Sequence, residues 1–203
     1  LANAMAEFHP TWLEEPLPPE NHEAYSKLKE KAQFPIATGE HEPNEEGFMD
    51  LFDKRCTDFI QMDVCCQGGF AMAKRIFEKV KEYELRFAVH SWGTNLEVLA
   101  AAHLGVCWEE DVVEWLEFPC YSSANSPGMY PFAAATEILK DPLEIEEGYL
   151  IMPDGPGLGI TIDERIVEKY PFIQGPWSYF KIDNPPETVA VTGDHSIKWI
   201  EGV

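Results

Sequence analysis

Phe34–Pro35–Ile36–Ala37–Thr38–Gly39–Glu40–His41 is an apolar run, Phe34 to Thr38, closed by the carboxylate of Glu40. Three other strand-like runs end in the same way. Leu13 leads into Glu14, Ile60–Gln61–Met62 into Asp63, and Phe87–Ala88–Val89 into His90. A further run, Val112 to Leu116, ends at Glu117. The steps between these charged groups are nearly even, at about 25 residues each. That is room for one strand, one helix and two turns, the repeat of a (β/α)₈ barrel of roughly 250 residues in eight units.

The segments between the runs read as helices. One covers about Glu20 to Lys31 with Ala24, Leu28 and Ala32 on one face. Asn44 is placed to cap a second, reaching about Lys54, with Phe48, Leu51 and Phe52 as its apolar stripe. Gly68–Gly69 opens a third with Ala71, Ile76 and Val80 inward, and a fourth spans about Asn95 to Gly105. Four strand–helix steps with apolar strands predict an α/β fold whose parallel strands are buried on both faces. Beyond Glu117 the composition changes. A long loop over 119–130 precedes a hairpin, Leu143 to Met152, turning at Glu147–Gly148. A glycine- and proline-rich turn at 153–159 and a short helix from Asp163 to Tyr170 follow. The aromatic and proline-rich tail from Pro171 is expected to hold a strand pair at Val189–Thr192 and Ser196–Ile200. The expected divisions are 1–118 for the barrel portion, 119–170 for a segment completing it, and 171–203 for the tail.

Composition narrows the function classes. The 203 residues carry 36 acidic against 15 basic side chains, a net charge of −21. Such a surface repels phosphate backbones and anionic lipid, which argues against nucleic-acid and membrane roles. No apolar run approaches the ~20 residues of a bilayer span, and no secretory signal pattern opens the chain. The five cysteines form no CxxC and no framework spacing, so reduced thiols in a cytoplasmic protein are expected. Leu1–Ala2–Asn3–Ala4–Met5–Ala6–Glu7 reads as the second half of a helix. The chain is therefore expected to be a fragment with its upstream portion missing.

In parallel barrels the residues closing each strand converge on one mouth. Glu14, Glu40, Asp63, His90 and Glu117 are thus expected to share a cavity. Paired carboxylates suit a hard cation such as Mg²⁺. An aspartate one strand before a histidine can fix its tautomer, and a protonated glutamate can donate to a developing oxyanion. Singly, a strand-end acid is most often a helix cap or a solvated loop residue, and His90 a structural histidine. Five such groups in phase favour a functional reading.

Trp12–Leu13–Glu14–Glu15–Pro16, Gly39–Glu40, Asp63 followed by Gly68–Gly69, His90, and Trp115–Leu116–Glu117 resemble the mandelate racemase subgroup of the enolase superfamily. Pro153–Asp154–Gly155–Pro156–Gly157–Leu158–Gly159 resembles its C-terminal turn. The resemblance covers roughly residues 1–170. It implies the C-terminal half of an enolase-type (β/α)-barrel with a C-terminal extension. The capping domain, the first barrel strands, a third metal ligand and a Lys-x-Lys group are expected upstream of Leu1. It further implies Glu14 and Glu40 as Mg²⁺ ligands, Asp63–His90 as a dyad and Glu117 as the electrophilic acid. A His base acting with Mg²⁺ on an enediolate is the known pattern of this superfamily, not a deduction from this chain.

Leu17–Pro18–Pro19 and His41 look similar to acid-sugar dehydratases such as rhamnonate dehydratase, while Ser91–Trp92–Gly93–Thr94 departs from them. The expected function is a Mg²⁺-dependent dehydratase that turns a sugar acid into a 2-keto-3-deoxy acid. A racemase or epimerase at the same carbon is one alternative. A non-catalytic sugar-acid binding barrel is the other. His41 is either a contact to a substrate hydroxyl or a loop histidine bonded to backbone. Similar enzymes form rings, so a homo-oligomer acting on a small carboxylate is expected. Cys65–Cys66 reads as a buried structural pair, and the turn at 153–159 lacks the Lys-Ser/Thr of a phosphate loop. Trp177, Tyr179 and Phe180 are expected to pack toward the missing capping domain. His9, His22, His103 and His195 receive no role.

Overall fold

A computed structural model describes residues 2–119 and 133–171. They fall into two compact units, residues 2–92 with 97–118, and residues 93–96 with 119 and 133–171. The strand pair and aromatic residues expected in the tail lie outside the described residues, as does most of the expected loop over 119–130.

The first unit is a strand–helix alternation. After a short helix, α1 (Ala2–Met5), come β1 (Leu13–Glu14), α2 (His22–Lys29), β2 (Ile36–Thr38), α3 (Glu45–Asp53) and β3 (Phe59–Ile60). Then follow α4 (Gly69–Glu82), β4 (Arg86–Val89), α5 (Asn95–Gly105) and β5 (Val113–Leu116). The strands form one five-stranded sheet in sequential order, and every neighbouring pair is parallel. Sequential parallel order brings all five C-terminal strand ends to one edge. Between β4 and β5 the register shifts at Phe87/Ala88, so that Val89 pairs with Leu116 and the Glu117 amide donates to the Val89 carbonyl at 3.2 Å.

Local chemistry explains where the helices start. Asn44 Oδ1 accepts the Gly47 amide at 3.0 Å, the expected cap of α3. Gly68, at φ 78°, opens α4, and Lys79 and Lys81 close it against the helix dipole. Phe48, Leu51 and Phe52 of α3, and Ile76, Phe77 and Val80 of α4, are fully buried with Phe59, Ile60 and Phe87 of the sheet. Each such side chain contributes roughly 1.5–3 kcal/mol when fully buried.

The structure departs from expectation at four places. The buried face of α2 is His22 and Tyr25 rather than Ala24 and Leu28, because polar groups elsewhere in the fold hold both rings. Ala71, in the first turn of α4, faces outward. β5 is half-exposed rather than buried on both faces, with Trp115 46% accessible at the sheet edge. Cys65 and Cys66 are exposed, because they sit in the turn after Asp63 and not beneath the sheet.

The second unit holds α6 (Ala133–Glu137), the antiparallel pair β6 (Ile145–Glu146) and β7 (Tyr149–Leu150), and α7 (Ile166–Lys169). Glu147 and Gly148, at φ 51° and 87°, make the expected hairpin turn. No described helix is long and apolar enough to cross a membrane.

Candidate active site

The five strand-end groups come together at one edge of the first unit's sheet, and His90 is their hub. Its Nδ1 lies 3.0 Å from Asp63 Oδ2, and its Nε2 lies 2.7 Å from Glu40 Oε2 and 3.7 Å from Glu117 Oε2. These contacts join residues that close β2, β3, β4 and β5. The His90 side chain is 13% exposed and that of Asp63 2%.

Charge follows geometry. Burial opposes a proton on His90, yet the hydrogen bonds to Asp63 and Glu40, with the charge of Glu117, outweigh it and push the imidazolium up to about 10. Burial also opposes ionisation of Asp63, but His90 and the amides of Cys65 and Cys66 hold its carboxyl below the usual range. The hydrogen bond from His90 holds Glu40 down as well. Glu117 moves the other way, pushed up chiefly by its burial. At one edge, burial thus raises one carboxyl while hydrogen bonds involving His90 lower two.

Glu14 stands one step from this hub. Its Oε2 accepts from Trp12 Nε1 at 3.1 Å and from Gln61 Nε2 at 2.8 Å. Gln61 Nε2 also donates to Glu117 Oε1 at 2.8 Å, so one amide ties Glu14 to Glu117. Gln61 Oε1 and Ser91 Oγ are buried with no hydrogen-bond partner among the described residues, while the Ser91 amide donates to Glu117 Oε2 at 3.3 Å. His41 is 55% exposed, with Nδ1 2.8 Å from Glu15 Oε2 and 3.4 Å from Glu40 Oε1. It faces carboxylates, in contrast to the backbone-bonded alternative.

Donor atoms of Glu15, Glu40 and His41 lie within 4.8 Å of one another, close enough to share a cation. Glu14 is outside that group, its Oε2 taken up by Trp12 and Gln61. The carboxylates of Glu14, Glu15 and Glu40 supply the hard oxygen donors that Mg²⁺ takes, while the His41 nitrogen suits a softer ion. The group that comes together, Glu15, Glu40 and His41, thus fits a divalent cation, and of the expected pair Glu14 and Glu40 only Glu40 belongs to it.

Sequence reading missed Glu15, Gln61, Gln67 and His22. Gln61 had a signal, being a polar residue inside the apolar run before Asp63. Glu15 adjoins a proposed ligand. His22 and Gln67 acquire their partners only through the fold.

The family model described as enolase C-terminal domain-like matches residues 1–166. A D-galactarolactone cycloisomerase of Agrobacterium fabrum is 30% identical over 170 residues, covering 84% of this chain and 44% of its own length. A D-xylonate dehydratase of Haloferax volcanii is 26% identical over 170 residues, covering 84% and 39%. The crystal structure of 3,6-anhydro-D-galactonate cycloisomerase from Zobellia galactanivorans superposes with a TM-score of 0.71 at 31% identity, covering 84% of this chain and 45% of that one. The chain spans less than half the length of these relatives, so its five parallel strands are part of a barrel. By this match, and by a sheet whose strand ends gather carboxylates around one histidine, the chain belongs to the enolase C-terminal domain-like family.

Proposed function

We propose that these residues form the acid–base and metal-holding part of a Mg²⁺-dependent dehydratase of a sugar acid. The reaction removes the proton α to the carboxylate and expels the β-hydroxyl as water, and the resulting enol becomes a 2-keto-3-deoxy acid. The observation that carries this reading is His90, one imidazole reaching Asp63 through Nδ1 and both Glu40 and Glu117 from Nε2. A module that only binds sugar acids has no use for such an arrangement.

Glu14 and Glu40 hold the cation in this reading, with Glu15 and His41 beside Glu40. When bound, the cation offsets the second negative charge that α-proton removal puts on the substrate carboxylate, which is the superfamily's known device. His90 moves the proton at Nε2, and Asp63 keeps the ring oriented by its bond to Nδ1. The half-buried Glu117 carboxyl, raised by burial, donates to the developing oxyanion when it carries a proton. The imidazolium formed when neutral Nε2 takes the α-proton is then the donor that the leaving hydroxyl requires, so that proton departs in the water. Exposed His41 faces substrate hydroxyls.

A D-xylonate dehydratase among the relatives agrees with this reading. A second reading has its own support, since two relatives, at 30% and 31% identity, are named cycloisomerases, beside a D-galactonate dehydratase family member also at 30%. In it the same α-proton leaves, and a ring oxygen of the substrate departs in place of the free hydroxyl. One assay separates these possibilities. The protein is incubated with Mg²⁺ and a panel of aldonic acids with their lactone and anhydro forms in D₂O, and products are followed by ¹H NMR. Keto acid from an open-chain acid supports the dehydratase, and keto acid only from cyclic forms supports the cycloisomerase. Exchange of the α-proton without keto acid replaces both with a racemase or epimerase. Neither exchange nor keto acid from any substrate overturns the reading as an enzyme.

A further inference from the structure

The mechanism leaves unexplained how Glu40 and His41 are aimed. The Glu42 amide donates to the Gly39 carbonyl at 3.1 Å, so residues 39–42 form one tight turn with Glu40 and His41 at its apex. Gly39 adopts φ 137°, and a Cβ there would stand 3.0 Å from the Gln61 carbonyl oxygen, so the turn presses directly on β3's end. An apex on a surface turn is ordinarily mobile, yet two donors must hold a cation in a fixed place.

Gln67 closes this gap. Its side-chain Nε2 donates to the Gly39 carbonyl at 2.7 Å and to the Glu42 carbonyl at 2.5 Å, both corners of the turn. Its Oε1 accepts the Asp63 amide at 2.8 Å, and its own backbone amide donates to the Asp63 carbonyl at 2.9 Å. Both N–H groups of the amide and its oxygen are thus used, in a residue 4% exposed. The turn is gripped from its other side too. His22 reaches Glu42 Oε1 at 2.9 Å and Asp50 Oδ2 at 2.6 Å, which fixes Glu42 against α3.

We propose that Gln67 is a positioning residue that fixes the Glu40–His41 turn relative to the Asp63 turn, and so sets the cation donors in register with the Asp63–His90 dyad. It touches no reacting atom. Its link to cation binding rests on the metal reading above, whereas the mechanical link between the turns does not.

The test measures both links. Amide hydrogen exchange and Mn²⁺ titration are run on the wild-type protein, Gln67→Leu, Gln67→Glu and Leu51→Ala. Leu51 is buried in α3 and contacts neither turn through a hydrogen bond, so its variant controls for general destabilisation. Gln67→Leu is expected to speed exchange at Glu42, Asp63, Cys65 and Cys66 at least tenfold, and to raise the Mn²⁺ dissociation constant about 10–100-fold. Gln67→Glu keeps an acceptor for the Asp63 amide and loses the two donors, so exchange is expected to rise at Glu42 and not at Asp63. Leu51→Ala is expected to lower the melting temperature and leave Mn²⁺ affinity within about twofold. The proposal is overturned if Gln67→Leu leaves Glu42 exchange at its wild-type rate, or if Leu51→Ala reproduces its effects. Absence of Mn²⁺ uptake by the wild type, with the exchange pattern as expected, overturns the metal reading and supports the link between the turns.

Discussion

His90 concentrates three carboxylates on one ring, and that concentration has a stability consequence. Its pKa is pushed to about 10, above the roughly 6.5 of an unfolded histidine. A group raised on folding stabilises the native state fully below its unfolded pKa and loses that contribution as pH rises through its folded pKa. In the metal-free protein, the urea midpoint should therefore fall between pH 7 and pH 10, and fall less in His90→Asn. Equal slopes in both proteins would contradict the contacts to Asp63 and Glu40. The Cys65 thiol offers a second check. Although the residue's surface is exposed, partial desolvation of the sulfur and the Asp63 charge push it to about 11. At pH 8 only about one thiol in a thousand is then ionised, against about a quarter for a free cysteine. Iodoacetamide should alkylate exposed Cys65 at least about fiftyfold more slowly than a model peptide thiol, and Asp63→Asn should speed it. At this scale the charged residue closing each strand was legible, because its position after an apolar run is a local feature. Their mutual distances were not. That Nε2 of His90 meets Glu40 more closely than Glu117 depends on how far each side chain reaches across the edge.

The helices show which local signals sufficed. Asn44 was readable as the cap of α3 because the side chain and the amide it serves are three residues apart. Asn44→Ala should lower the unfolding free energy by about 1 kcal/mol, measured by urea denaturation, since it leaves the Gly47 amide without its partner. A change below a few tenths of a kcal/mol would mean that the cap does not hold the helix. The face of α2 was not readable. Hydropathy favoured Ala24 and Leu28, but His22 is drawn inward by Glu42 and Asp50, and Tyr25 by the Leu17 carbonyl at 2.7 Å. Those partners lie on other elements, and no periodicity within the helix announces them. The same holds for Gln67, whose side chain bonds both corners of one turn, 25 and 28 residues away.

Across the whole chain, the even spacing of strand-end groups carried the parallel sheet, and the sheet in turn made the site. The weak point of the spacing argument was β5. Its apolar letters suggested burial on both faces, yet among the described residues it is an edge strand with Trp115 accessible, because a sheet's last strand has a neighbour on one side only. The core beneath α4 is the part on which the arrangement depends. Phe77 is fully buried, stacks on Trp108 with centroids 3.6 Å apart and meets Phe87 in a tilted pair at 5.4 Å. Phe77→Ala should cost about 3–5 kcal/mol in chemical denaturation, as large-to-small core changes do. The most direct measurement of all concerns the function that this sheet serves. Loss of a sugar acid's α-proton, by elimination or by exchange, is followed by ¹H NMR in D₂O with Mg²⁺, for the wild-type protein and for a folded His90→Asn variant on any substrate the panel identifies. If His90 at the meeting of four strand ends is the acid–base group, the variant should lose about 10²–10⁴-fold in the rate of that loss. Loss at the wild-type rate in His90→Asn would contradict it.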